Sequence, residues 1–357
     1  MATLLTISAV ARVECLRLLR SPTSFTLLLL VPALQILLFG YAIRPSVAAV
    51  AVALAGPTAG QGDVVRLARD AGMRVVGHDL RPGGAESLVR AGKVAVGIEL
   101  PTGPFAPVTA IVDSSDPNLT AAAEARIEAI YWHALAQRND VADFGPRLRV
   151  ERLYNPAARA DWAFLPALVG AIMMISMLML GTLGMARERE LGTWEALIAL
   201  PIGRAALIAG KLAPLAVIGA LQGVVVLAVG HWVFDLPLRG SVMSLAAILP
   251  IFAVAHLALG QALAARARTQ LAALQGAVAF YLPAMLLSGF LYPFATLPPW
   301  AQRIGELFPL THFIRASREA TLRGGDAGTV LAHGVPIALF AVVMLALSAM
   351  QQRVQLD

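Results

Sequence analysis

Six windows of this 357-residue chain contain no Asp, Glu, Lys or Arg: Ser21–Ile43, Trp162–Ala186, Leu212–Phe234, Gly240–Ala265, Thr269–Gln302 and Ala327–Gln352. Each exceeds the roughly 20 residues that carry an α-helix across a hydrocarbon core about 30 Å thick. Charged residues are only 14% of the chain, hydrophobic residues 58%, and the mean hydropathy is +0.72. A soluble chain carries about 25% charged residues, so this one lacks the polar surface that water would require. A charge at the centre of a membrane helix costs about 2.5–3.5 kcal/mol on insertion scales, which accounts for the segregation. A seventh uncharged stretch, Pro45–Gly62, does not qualify, because its apolar part is only Val47–Ala55 and Gly56, Pro57, Gly60 and Gly62 follow. The first window is also too long for the hydrophobic region of a cleaved signal, about 7–15 residues. Phe25–Ile43 therefore reads as a retained anchor.

Arginine placement orients the spans. With the N-terminus inside, the cytosolic segments hold Arg12, Arg17, Arg20, Arg187, Arg189, Arg204, Lys211, Arg266, Arg268 and Arg353. The outside loops hold Arg239, Arg303, Arg315, Arg318 and Arg323. Ten against five places both termini in the cytoplasm, by the positive-inside rule. The same rule explains the net charge of +6 without nucleic acid, since the chain has only two lysines and no basic–aromatic stripe. Cys15 is the only cysteine, which excludes an intrachain disulfide and a cysteine metal cluster. The six histidines show no metal-binding spacing. Every window contains a proline (Pro32, Pro166, Pro214, Pro250, Pro283, Pro336), read first as packing irregularity and second as hinges. Gly181 with Gly184, and Gly219 with Gly223, are candidate sites of close helix contact. Met173, Met174, Met177 and Met179 invite a plastic substrate wall, but packing is the plainer reading.

Between the first two windows the pattern changes. Strand-like runs at Val47–Ala55, Met73–His78, Val94–Leu100 and Val108–Val112 alternate with helical ones at Asp63–Ala71, Ala85–Ala91 and Thr120–Arg138. The expectation is a small α/β domain over residues 45–160, outside the cytosol. Its acidic residues Asp113, Asp116, Glu124 and Glu128 are read as turn and helix-surface groups rather than a catalytic pair.

The densest charge follows the second window, in Arg187-Glu188-Arg189-Glu190-Leu191-Gly192-Thr193-Trp194-Glu195, and runs to Pro201. Leu191, Trp194 and Ile198 are spaced i, i+3, i+7, so residues 187–200 are expected to form a short helix along the membrane surface. The run resembles the RERExGTxExLxxxP signature of ABC type-2 exporter permeases, and every fixed position is present. Tyr154-Asn155-Pro156, Leu286-Leu287-Ser288-Gly289, Leu297-Pro298-Pro299-Trp300, Phe308-Pro309-Leu310-Thr311-His312-Phe313 and Leu322-Arg323-Gly324 extend the resemblance over nearly the whole chain. It is closest to the bacterial inner-membrane subgroup with a large domain after the first span, associated with drug or bile-salt efflux.

The resemblance implies an all-α polytopic membrane protein of six transmembrane helices with the α/β domain inserted after the first. Residues 1–20 are then an amphipathic interfacial helix whose apolar residues are Leu4, Ile7, Val10, Val13, Leu16 and Leu18. The first span is 21–44, a five-helix domain 161–352 and a cytosolic tail 353–357. Arg187, Glu188, Arg189, Glu190, Gly192, Thr193, Trp194, Glu195 and Pro201 become ATPase-coupling residues. Residues 294–325 become a re-entrant outer segment containing Pro298, Trp300, Pro309 and Arg315. The chain has no GxxxxGK[ST] loop, since Gly210-Lys211-Leu212 lacks the Ser/Thr. ATP and Mg are accordingly expected on a separate ATPase chain, with no cofactor here, a second permease copy or paralogue as partner, and a periplasmic adaptor as a further one. The implied function is export of hydrophobic or amphipathic molecules. The alternatives are a membrane receptor using the outer domain as sensor, which lacks a cytosolic output domain, and a membrane enzyme. For the latter only His231, His256 and His333 lie in the spans, each in a different one. The spans hold no acidic or basic residue of the kind that couples a secondary transporter to ions.

Overall fold

The computed structural model describes residues 2–19, 50–57, 62–101, 107–115, 117–136, 148–157, 159–194, 203–267, 269–291, 293–294 and 297–351. The first charge-free window, Asp116, Glu195 to Pro201 and the tail 353–357 lie outside the described residues. Two compact units result, one from Ile43–Phe164 with Leu291–Gln302 and the other from the rest of the chain.

The first unit is built on a five-stranded sheet in the order β2-β1-β3-β4-β5. Its strands are β1 (Val50–Ala55), β2 (Met73–Leu80), β3 (Val96–Glu99), β4 (Val108–Asp113) and β5 (Leu148–Leu153). Only β3 and β4 are antiparallel neighbours; β1–β2, β1–β3 and β4–β5 are parallel. Parallel neighbours need crossovers. Those are supplied by α2 (Gly62–Asp70), α3 (Gly84–Arg90) and α4 (Pro117–Ala136). The sequence of β1, VAVALA, explains how both faces are covered. Val50, Val52 and Leu54 join Ala68 of α2 and Leu119, Ala123 and Ile127 of α4 in one core, while Ala51, Ala53 and Ala55 face Ala85 and Val89 of α3. Small side chains on that second face let α3 lie close: a Cβ at Gly97 would stand 2.9 Å from the Ala85 backbone. The N-terminus of α3 has no cap of its own. Glu99 supplies one from β3, its carboxylate accepting the N–H groups of Gly83, Ala85 and Glu86.

Acidic residues of this unit serve as structure. Asp113 Oδ1 accepts the Ser115 N–H at 3.0 Å in the turn after β4, and Glu124 binds Arg152 of β5 at 2.9 Å. That contact raises the Arg152 pKa. Asn155 is fully buried; its side chain donates to Arg159 O (2.8 Å) and accepts from Arg159 N (3.0 Å). This closes the turn that feeds the next helix, with Tyr154 in the left-handed region (φ 71°).

The second unit is helical, with α1 (Ala2–Leu19), α5 (Ala160–Glu190), α6 (Arg204–Phe234), α7 (Val242–Ala264), α8 (Gln270–Leu287), α9 (Pro299–Gly305), α10 (Pro309–Arg318), a π-helical turn (Glu319–Arg323) and α11 (Ala327–Gln351). The first turn of α5 and of α9 is shared with the other unit. Among the described residues, five helices are long and apolar enough to cross a membrane: Asp161–Glu190, Ala206–Phe234, Val242–Ala264, Gln270–Leu287 and Ala327–Gln351. The chain is a polytopic membrane protein. α5 is its central post, with 72% of its apolar window buried against 22% for α8 and α11.

Glycine spacing seats α5. A Cβ at Gly181 would lie 2.4 Å from Leu257 O of α7, and one at Gly219 or Gly223 of α6 would strike Met177 or Met173 at 2.5–2.6 Å. The methionines therefore fill notches between α5 and α6 and are fully buried. Gly184, by contrast, faces open space. The helix α1 carries both packed and exposed apolar residues. Ile7 and Val10 press on Gly210 of α6, where a Cβ would meet Val10 at 2.8 Å, yet Val13 and Leu16 are exposed.

The long fifth window divides as its length suggests. α8 ends at Leu287, Gly289 turns the chain at φ 86°, and the short helices α9 and α10 follow. Pro309 is buried at the first turn of α10, a position that needs no N–H. Glu306 pairs with Arg315 through two hydrogen bonds of 3.0 and 2.6 Å. Pro298 and Trp300 belong to the other unit, where both are exposed and Pro298 O accepts the Gln302 N–H.

Candidate ATPase-coupling site

The charged run is not a separate surface helix from its first residue. Arg187 to Glu190 are the last turn of α5, which continues at about 1.5 Å per residue past the apolar window. Gly192, at φ 70°, ends it: Leu191 N donates to Arg187 O and Gly192 N to Arg189 O. A new helical segment starts at Thr193. Leu191 and Trp194 therefore do not share a stripe; Leu191 is 64% exposed and Trp194 only 8%. The spacing of Leu191 and Trp194 suits one continuous helix, which Gly192 interrupts. Glu195 and Pro201 lie outside the described residues.

Four residues of the run turn inward or across to other helices. Glu188 is buried and forms an ion pair with Lys211 of α6. Arg189 donates to the backbone oxygen of Ala265, the residue that caps α7. A guanidinium there meets both the orphan carbonyl and the negative end of that helix. Glu190 accepts from the side-chain amide of Gln270, the first residue of α8. Trp194 packs with Met185, Ala186, Leu207, Ala264 and Ala273, from α5, α6, α7 and α8. Two cations approach its ring, Lys211 at 5.4 Å and Arg189 at 5.8 Å from the centroid. Thr193 Oγ1 donates to Glu188 O, while Arg187 and Glu190 are exposed.

Residues of the run thus differ in their surroundings. Glu188 and Arg189 fasten α5 to its neighbours, while Arg187 is exposed near the helix end. Lys211 and Gln270 were not among the expected site residues. Lys211 is one of two lysines and borders a charge-free window directly, the signal that marks it in the sequence.

The comparisons with known proteins bear on this same stretch. The family described as ABC-2 type transporter matches residues 127–322, from within α4 to the π-helical turn. The chain is 26% identical to the probable multidrug ABC transporter permease YbhR of Escherichia coli (strain K12), covering 89% of this chain and 90% of that one. It is 25% identical to the probable multidrug ABC transporter permease YbhS of the same organism, over 96% of both. A shorter match, 27% identical over 50% of this chain and 48% of the relative, is to the inner membrane transport permease YhhJ, also of Escherichia coli (strain K12). With more than half its length matched by the family, and its charged run at the centre of that match, the chain is a member of the ABC-2 type transporter family.

Proposed function

We propose that this chain is the membrane subunit of an ATP-driven exporter that moves hydrophobic or amphipathic molecules, in the class of drugs, bile salts or lipids, out of the cytoplasm or inner leaflet. Two permease copies or paralogues form the pathway, and a separate chain binds ATP and Mg and hydrolyses the nucleotide. The end of α5 carries this reading: a charged helix end, braced from within on four helices, is suited to receive a mechanical push from a docked protein. The multidrug permeases to which the chain is similar support the substrate class. The first window, Ser21–Ile43, supplies the sixth span, so both termini and the end of α5 face the cytosol of a bacterial inner membrane and the α/β unit lies outside. A periplasmic adaptor is the partner proposed for that unit.

Two experiments test this. Co-purification with the cognate ATPase, followed by ATP hydrolysis, is expected to show a stable complex whose hydrolysis depends on the permease; no capture and no stimulation would favour the receptor reading. For topology, Arg81→Cys in a Cys15→Ser background is expected to react with an impermeant thiol reagent on intact cells, since Arg81 is exposed on the α/β unit. Labelling only after lysis inverts the proposed orientation.

A further inference from the structure

Lys211 has a role that no part of the charged signature specifies. Its ammonium is buried, forms the ion pair with Glu188 and stands 5.4 Å from the Trp194 ring centroid. One side chain of α6 therefore holds two residues of the expected coupling run, one on the last turn of α5 and one on the segment that starts after Gly192. The preceding residue, Gly210, is where α1 presses on α6, with Ile7 O 3.1 Å and Val10 2.8 Å from the position of a Cβ. The same turn of α6 is thus in touch with α1, α5 and the segment carrying Trp194.

The choice of charges is informative. A buried ion pair is a weak source of stability, because desolvating both groups consumes most of the attraction, and a well-packed apolar pair commonly does as well. What a charged pair adds is direction and uniqueness: only one placement of the helix ends satisfies both groups. The pair lies at the border of two charge-free windows, Glu188 just past Ala186 and Lys211 just before Leu212. There, an opening of the joint would expose both charges to water or headgroups, so the joint has two electrostatically distinct states.

We propose that Lys211 is a positioning residue of the coupling site, holding Glu188 and Trp194 together so that α1, the end of α5 and the start of α6 respond as one block to a push on the charged run. This rests on the exporter reading given above, and the test separates the two. The full-length permease is reconstituted with its cognate ATPase, and two quantities are measured for each variant: the amount of ATPase captured and the permease-dependent rate of ATP hydrolysis. Lys211→Met is expected to capture the ATPase as the parent does, because the docking residues are untouched, while stimulated hydrolysis falls by about tenfold, a typical size for coupling between sites. Lys211→Arg, which keeps a cation within reach of Glu188 and Trp194, is expected to restore most of it. The exchange Glu188→Lys with Lys211→Glu is expected to restore part, because it rebuilds the pair and loses the cation beside Trp194. If Lys211→Met does not accumulate in the membrane, Lys211→Gln carries the same comparison. Capture by the parent with stimulated hydrolysis unchanged in Lys211→Met overturns the inference alone. A parent that neither captures nor stimulates an ATPase overturns the functional reading, and this inference with it.

Discussion

The two ends of the helical unit are fastened by opposite means. Where α5 and α7 finish and α6 and α8 begin, side chains do the fastening: Glu188 to Lys211, Arg189 to the Ala265 carbonyl, Gln270 to Glu190. At the other end of α6 the backbone does most of it, with the Arg239 guanidinium adding a hydrogen bond to Leu322 O at 3.4 Å. Arg239 N donates to Thr321 O, Gly240 N to Ala320 O and Ser241 N to Gly325 O, binding the α6–α7 loop to the π-helical turn. Gly240 is held so closely that a Cβ would stand 2.6 Å from Glu319 O. A joint made of side-chain charges responds to other charges brought near it. A joint of amides and carbonyls responds to them far less.

The comparison can be broken from either side. Glu188→Ala, which leaves the Lys211 ammonium buried without its carboxylate, is expected to cost about 3–5 kcal/mol. Replacing both members, Glu188→Met with Lys211→Met, is expected to recover most of that loss; thermal unfolding in detergent reads both. Gly240→Val forces a side chain into the loop–turn contact and is expected to cost about 1–3 kcal/mol by overpacking. An unchanged unfolding temperature would show that the backbone joint is looser than its distances indicate. Glu190→Ala sharpens the contrast, because an exposed carboxylate contributes little to stability, yet its loss is expected to weaken ATPase association or uncouple transport. Normal binding and normal coupling in that variant would remove Glu190 from the docking surface. The smallest effect is expected in the α/β unit, where Arg152→Ala opens a partly exposed pair with Glu124 and costs about 0.2–1 kcal/mol.

The charge-fastened end was legible in the sequence and the backbone-fastened end was not. Charges are sparse in this chain, so the run from Arg187 to Glu195 stood out, although its division at Gly192 was hidden by an apolar spacing that suited a single helix. The stitch at Gly240 uses only main-chain groups, which every residue but proline carries, and so leaves almost no compositional trace. The same reasoning explains the helix ends. α6 begins at Arg204, eight residues before its charge-free window, because a helix persists into the polar region where counting uncharged residues stops. In the α/β unit the four buried or half-buried strands are legible, whereas β5 is not: Leu148–Leu153 carries three charges in six residues and is an edge strand with Arg149 and Arg152 exposed.

The π-helical turn at Glu319–Arg323 places a limit on chain length rather than on chemistry. Its wide loop, closed by Gly324 N on Glu319 O, holds one more residue than an α-turn, and the Ala320 and Thr321 carbonyls are the ones that accept the α6–α7 loop. Removing a single residue there would let the turn tighten to α-helical pairing, retract those acceptors and swing the start of α11 by about 100° about the helix axis. The stitch itself is made by main-chain groups of the turn, so it depends on how many residues the turn holds, while the side chains of Ala320, Thr321 and Leu322 are constrained separately by burial.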